Sequence, residues 1–168
     1  MGFDGDLKPS PRNRRGRYVS AQVKVPIPAY EKMSKTGIEK LLSYMEIDRQ
    51  GVMQEQGGFV YSGMGGEIIP ALYRGTKVNP RPYNVSCTEN VYVEIKGEDV
   101  IFGVELPNLE VGAASNREGP ICPTAREVLK FMGIGTSREF AAAAAAITLA
   151  GEFNFALLHL RGEMYAGK

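Results

Sequence analysis

Residues 90–106 read NVYVEIKGEDVIFGVEL, and this stretch decides the fold of the chain. It contains two runs rich in β-branched and aromatic residues, NVYVEIK and DVIFGVEL, which are typical of strands. The short polar link between them contains Gly97, and glycine is a residue that tight hairpin turns use. The stretch therefore predicts two strands joined by a hairpin.

A third strand is predicted upstream, over residues 17–25 (RYVSAQVKV), because valine and alanine alternate there with polar residues. Pro26 and Pro28 end this strand. Over residues 29–45 the apolar side chains recur at helical spacing, which predicts one helix. Gly37 weakens the middle of that helix by about 1 kcal/mol relative to alanine.

The segment between this helix and the hairpin is rich in glycine. Residues 51–66 read GVMQEQGGFVYSGMGG, which indicates either backbone that passes close to another group or a flexible loop. Residues 67–75 predict a short further element, and Pro70 restricts any helix there to begin near it. Beyond the hairpin, residues 108–112 predict another extended piece.

The C-terminal third is predicted to be helical. Pro123 in a first turn and Gly133 at an end delimit one helix. Thr136 and Glu139 have the spacing of a capping box, which predicts the start of a long final helix. The predicted fold is therefore α+β: a small, mainly antiparallel sheet with helices packed against one face and the long C-terminal helix as its spine.

Composition places the chain among folded soluble proteins. It has 168 residues, 43% of them hydrophobic and 23% charged, with a formal net charge of +1. We expect a basic arm over residues 1–16 and a single domain over 17–168. The arm is either a solvated terminus or a phosphate-binding segment, because residues 1–24 concentrate positive charge in six side chains. These are Lys8, Arg12, Arg14, Arg15, Arg17 and Lys24.

The sequence gives no sign of a metal site or of a membrane segment. Cys87 and Cys122 fit no metal-binding spacing. The first residues have no apolar stretch typical of a signal peptide. The most apolar run, residues 140–150, falls short of the roughly 20 strongly apolar residues that a membrane span needs. We expect a soluble cytoplasmic protein that contacts no membrane.

Three late segments resemble the end of the catalytic domain of hydroxymethylglutaryl-CoA reductases. Residues 106–112, LPNLEVG, are similar to the strand that closes on Pro-x-(Leu/Ile)-Glu-(Ile/Val)-Gly in that family. Residues 128–134, VLKFMGI, resemble the helix that ends in Leu-Gly-(Ile/Val). Residues 150–153, AGEF, resemble the Ala-Gly-Glu-Leu sequence of the long final helix.

Earlier segments resemble the same family in the same order. Lys8 and Pro9 with residues 13–17 resemble the loop that carries a catalytic lysine ahead of Gly-Arg-Gly-Lys. Residues 62–66, SGMGG, are similar to the Gly-Ser-Ile-Gly-Gly stretch. Residues 79–85 resemble the segment in which a catalytic aspartate precedes a proline. The resemblance thus spans essentially the whole chain and implies the fold of the family's substrate-binding lobe.

The family's reaction reduces a CoA thioester with hydride from a nicotinamide cofactor, and it needs proton donors beside the carbonyl and the leaving thiolate. The resemblance puts Lys8 at the lysine position and Asn79 at the aspartate position. An amide such as that of Asn79 cannot exchange a proton near neutral pH. The resemblance also implies a catalytic histidine for the thiolate a few residues after Gly162, but residues 163–168 contain none, and the only histidine, His159, lies one turn upstream. By the same resemblance the ligand-binding candidates are Gly63, Gly65, Gly66, Arg15 and Arg17.

These substitutions favour a divergent reductase-like subunit that is not catalytic by itself and works inside a homo-oligomer or a hetero-complex. The family also uses a catalytic glutamate and a nicotinamide-binding domain. Both belong to a part of the family sequence that this chain does not match. We therefore expect no cofactor in the isolated chain, and NAD(P)H only where a partner supplies the site.

Two alternatives stay open. The chain could be one half of a split or minimal NAD(P)H-dependent reductase acting on a CoA thioester. It could instead bind phosphate or nucleic acid through the basic arm, although no aromatic platform accompanies the arginines.

Overall fold

The computed structural model describes residues 8–9, 16–46, 65–76, 89–111 and 123–164. This part of the chain contains four strands and five helices. The strands are β1 (Lys8–Pro9), β2 (Gly16–Pro26), β3 (Asn90–Lys96) and β4 (Asp99–Glu110). The helices are α1 (Ile27–Ser34), α2 (38–46), α3 (Gly65–Thr76), α4 (Pro123–Phe131) and α5 (Ser137–Leu160).

The strands form one sheet in the order β1-β2-β4-β3, and all neighbours are antiparallel. A two-residue turn joins β3 to β4, and Gly97 in it has a φ of 62°, which glycine adopts without strain. The predicted hairpin and the strand over 17–25 are therefore confirmed. β1 is only two residues long and pairs with β2, which begins at Gly16. Three residues of the predicted basic arm, Lys8, Pro9 and Gly16, therefore belong to the sheet.

β4 continues further than the hairpin pattern predicted, because a bulge accommodates its proline. Val19 pairs with Leu106, whereas Arg17 pairs with Leu109. One residue of β2 therefore lies opposite two residues of β4, and one of those two is Pro107. A proline has no N–H to donate, so a bulge is a position where a sheet tolerates it. The predicted separate extended piece over 108–112 is in large part the end of this strand.

The hydrophobic core lies between one face of the sheet and the helices. Alternate residues of β2 and β4 point to that face, and α5 crosses both strands there. Phe102 of β4 packs edge-on against Phe153 of α5, with ring centroids 5.4 Å apart. Tyr30 of α1 contacts the same ring at 6.3 Å. The α+β fold, with helices on one face and a long C-terminal helix, is thus confirmed.

The single helix predicted over 29–45 is wrong. Lys35 adopts a left-handed conformation with a φ of 58°, and its N–H donates to the carbonyl of Glu31, which ends α1. The side chain of Ser34 donates to the carbonyl of Thr36 at 2.9 Å. The N–H of Ile38 then donates to the Glu31 carboxylate at 3.3 Å, which satisfies a backbone donor at the start of α2.

The predicted start of a helix near Pro70 is also wrong, since α3 includes Gly65 and contains Pro70 in its interior. The missing N–H of this proline removes one helical hydrogen bond. Pro70 is buried in the core, as are Ile69 and Leu72 beside it. Burial of apolar side chains therefore offsets the local preference against an internal proline.

The start of α5 follows the sequence closely. The hydroxyl of Thr136 accepts from the N–H of Glu139 at 3.2 Å, and the Glu139 carboxylate accepts from the N–H of Thr136 at 2.8 Å. The predicted capping box is therefore confirmed. The carboxylate also accepts from the N–H of Gly135 at 2.7 Å, and these bonds hold the pKa of Glu139 below its usual range.

Candidate functional site

The described residues that the sequence singled out lie toward one end of the sheet. β2 begins there at Gly16, which pairs with Glu110 at the end of β4. β3 begins at the same end, where Asn90 pairs with Glu105. The start of β2, the end of β4 and the start of β3 together form the upper end of the sheet.

Lys8 and Arg17 come to the upper end through strand pairing. Lys8 of β1 pairs with Tyr18 of β2, and Arg17 is the second residue of β2, with its side chain half-buried. Gly63, Asn79 and Arg15 lie outside the described residues. The roles of all these residues, and phosphate binding by the arm, stay predictions.

Gly65 and Gly66 form the first described turn of α3, and a buried carboxylate lies against it. The N–H of Gly65 donates to Oε1 of Glu89 at 3.0 Å. Glu89 is 1% exposed and directly precedes β3. A Cβ atom at Gly65 would lie 2.6 Å from Oε2 of that carboxylate. Position 65 therefore needs glycine because a side chain there would collide with Glu89.

Glu89 also determines what the start of α3 can bind. Backbone N–H groups and the helix dipole make a helix N-terminus attractive to anions. Here a carboxylate of the protein itself accepts from Gly65. A phosphate or a second carboxylate would have to displace the Glu89 side chain from this N–H group. Sequence reasoning missed Glu89, because no local pattern links it to a glycine 24 residues away.

Tyr73 fixes α3 to the upper end of the sheet. Its hydroxyl donates to the carbonyl oxygen of Glu110 and accepts from the N–H of the same residue, both at 3.1 Å. The ring stacks on Phe140 in the first turn of α5, with centroids 6.0 Å apart and planes 13° from parallel. Helices α3 and α5 and the end of β4 therefore meet at this tyrosine.

A hydrogen-bonded cluster spans three strands on the sheet face opposite the helices. Tyr18 donates to one oxygen of Glu105 at 2.5 Å, and the amide of Asn90 donates to the other at 3.0 Å. Burial and this bond raise the pKa of Tyr18 to about 12. Beside them, the ring of Tyr92 lies directly over Gly103. The carboxylate is thus held between two donors of the protein.

His159 lies far from the upper end. Its ring packs on Tyr44 of α2 with centroids 4.6 Å apart. It follows Phe140 by 19 positions in α5, which is roughly 28 Å at the helical rise per residue. The structure therefore does not bring the only histidine near Lys8 or Gly65.

Within the described part of the chain, no group of three or more His, Cys, Asp or Glu side chains could hold a metal ion. One helix there, Ser137–Leu160, is long and apolar enough to cross a membrane by length and composition alone. Nine of its residues are buried, and it packs on the sheet as a core helix does. The length and composition of this one helix are therefore only weak evidence for a membrane span.

The fold and the upper end together define an α+β lobe whose glycine-rich helix start is closed by a buried glutamate. No protein-family model matches the chain. Among curated proteins, it is similar to the 3-hydroxy-3-methylglutaryl-coenzyme A reductase of Aeropyrum pernix, with 26% identity over 160 residues. The match covers 89% of this chain and 38% of the reductase, so the chain spans about two fifths of that relative. The similarity supports a distant relationship with this reductase.

Proposed function

We propose that the chain is a divergent hydroxymethylglutaryl-CoA reductase-like subunit that is not catalytic by itself and serves as a structural or assembly component of an oligomer. The observation that carries the proposal is the location of His159. Thioester reduction needs an acid for the departing thiolate. The one imidazole of the sequence packs on Tyr44, roughly 28 Å along α5 from the residues at the upper end.

Two further features support this proposal. Asn79 occupies the position that the resemblance gives to a proton-transferring aspartate, and an amide does not replace a carboxyl in that role. At the start of α3, the Glu89 carboxylate occupies the place where the anionic part of a CoA ester would be attracted. In contrast, the described residues form a hydrophobic core and pair β2 with β4 along almost their whole length.

The direct test is an assay of the purified chain with the hydroxymethylglutaryl thioester and NAD(P)H, followed by nicotinamide absorbance. We expect no thioester-dependent oxidation, and we expect Asn79→Asp to restore none. Lys8→Ala and the matched surface variant Lys40→Ala should behave alike. Oxidation that requires Lys8 and not Lys40 would show that the chain is an active reductase.

The second candidate function is one half of a split NAD(P)H-dependent reductase. The observation in its favour is that the match includes only 38% of the Aeropyrum pernix enzyme. In a split enzyme, a second chain would supply the rest. Gentle affinity purification from the native cell, with mass spectrometry of what co-purifies, distinguishes the two. A partner with a nicotinamide-binding domain that gives thioester reduction with this chain would establish the split enzyme.

A further inference from the structure

β3 is the last strand of the sheet, and its outer side pairs with no strand among the described residues. It runs for seven residues without glycine, proline or a bulge. Soluble proteins commonly protect such an edge with a proline, a bulge or an inward-pointing charge. β3 has no proline and no bulge, and its two charged side chains, Glu94 and Lys96, which would otherwise protect the edge, pair with each other. Its backbone therefore offers a regular template for another strand.

The register of the hairpin shows which backbone groups point outward. The two-residue turn closes on Lys96 and Asp99, which bond to each other, and bonding toward β4 then recurs at every second residue. The intervening residues Val91, Val93 and Ile95 direct their N–H and C=O groups to the open side. Three donors and three acceptors therefore point outward in a row, and none of them pairs with a strand among the described residues.

The side chains of β3 match a second copy of the same strand. Val91, Val93 and Ile95 share the core face, and Ile95 is 41% exposed at its end. On the other face the only two charges, Glu94 and Lys96, form an ion pair at 3.1 Å and cancel. The outer edge thus carries an apolar stripe on one side and no net charge on the other.

We propose that β3 pairs antiparallel with β3 of a second copy of this chain, about a two-fold axis at Val93. This assignment rests on the proposed role of the chain as an assembly component. In this register Val93 lies opposite the partner's Val93, and Ile95 lies opposite the partner's Val91. Ile95 of each copy is then covered by Val91 of the other copy, and the two sheets join into one continuous sheet.

Electrostatics and length favour this register over an axis at Glu94 or at Ile95. An axis at Glu94 would place two carboxylates directly opposite each other, which is destabilising. An axis at Ile95 would pair little beyond the last three residues of the strand. With the axis at Val93, all seven residues pair, Glu94 faces the partner's Tyr92, and Lys96 faces the partner's Asn90. Neither charge meets its own kind directly.

Disulfide trapping tests the register, with Cys87→Ser and Cys122→Ser as the background. Val93→Cys should form a disulfide-linked dimer on mild oxidation, because opposed residues of such a pair lie within bridging distance. Ile95→Cys alone should not form one. A mixture of Val91→Cys chains with Ile95→Cys chains should. Equal linking of all single variants, or of none, would overturn the proposed pairing.

Self-association of the otherwise natural chain tests the surface, by sedimentation over a range of concentrations. Ile95→Lys should weaken the dimer by about tenfold or more, since two cross-strand apolar pairs are lost. Ile147→Lys is the matched control, because Ile147 on α5 is 39% exposed and receives the same substitution. Circular dichroism verifies that both variants fold. A monomer at every concentration, or equal weakening by both variants, would overturn the inference. A hetero-complex found in the cell would in that case leave the proposed assembly role standing.

Discussion

Replacing Gly65 by alanine places a methyl group against the buried carboxylate of Glu89. The new Cβ would lie 2.6 Å from Oε2, 2.7 Å from Cδ and 2.9 Å from Oε1. Glu89 is 1% exposed, so its carboxylate cannot swing into solvent to relieve the contact. Either the carboxylate or the first turn of α3 has to move, and the hydrogen bond between them is lost.

The loss of that hydrogen bond determines how much stability Gly65→Ala removes. A bond from a backbone N–H to a charged acceptor contributes about 1.5–3 kcal/mol. Alanine returns at most about 1 kcal/mol through its better helix propensity. We therefore expect Gly65→Ala to lower the free energy of unfolding by about 0.5–2 kcal/mol.

Urea unfolding followed by far-ultraviolet circular dichroism measures the effect, since the chain has no tryptophan to report by fluorescence. Gly75→Ala, in the same helix, is the matched control. Its Cβ would meet only Val128, at 4.0 Å. That substitution should stabilise the protein by about 0.5–1 kcal/mol, because it only removes the backbone freedom of glycine.

A double-mutant cycle identifies the cause. With Glu89→Ala as the background, Gly65→Ala should no longer destabilise, because nothing remains for the methyl group to displace. The reasoning is refuted if Gly65→Ala and Gly75→Ala change stability equally. It is also refuted if Gly65→Ala costs the same with and without the Glu89 carboxylate.

Three further predictions concern the sheet and α5. Gly103→Ala should cost about 1–3 kcal/mol, since its Cβ would enter the ring of Tyr92; a thermal melt that loses this cost after Tyr92→Ala verifies the cause. The pKa of Tyr18 rises from 10.0 to about 12 on folding, so its contribution to stability is complete below pH 10 and is lost as pH rises toward 12. Tyr18→Phe should therefore make the alkaline decline of stability shallower in urea titrations, and an unchanged slope would contradict the assignment. Thr136→Ala should cost about 1 kcal/mol in urea unfolding through loss of the α5 cap, whereas Thr136→Ser should cost much less, and equal losses would argue against a cap.

The parts of the fold that sequence predicts well are those encoded by neighbouring residues. The hairpin needs Gly97 between two strand-forming runs, and the cap of α5 needs Thr136 and Glu139 three positions apart. Both signals lie within a few residues of the feature that they specify. The alternation of apolar and polar residues over 17–25 likewise predicts which side chains are buried, because one face of β2 contacts the core.

The misplaced helix boundaries depend on contacts that are distant in sequence. The guanidinium of Arg161 donates to the carbonyl of Met33 at 2.6 Å through Nε, and Lys35 bonds Glu163 at 3.0 Å. These contacts hold the end of α1 against the end of α5. A periodicity that runs from 29 to 45 contains no information about them, so the break at Lys35 was not predictable.

The candidate site shows the same limit. Resemblance to reductases directed attention to Gly65, and the structure gives that glycine a physical reason through Glu89. The glutamate itself was not predicted, since only the folded chain places it beside α3. The resemblance singled out Lys8 and Arg17 separately, and strand pairing brings their backbones to neighbouring strands.

The position of β2 in the sheet has a consequence for synthesis on the ribosome. Tyr18 and its partner Glu105 are 87 residues apart in the chain. β2 is therefore made early and has to wait, with its apolar face uncovered, until β4 has emerged. Closing so long a loop slows folding, because the chain loses conformational entropy before the contacts between the two strands stabilise it. Until β4 has emerged, β2 is thus a strand whose apolar face can form non-native contacts.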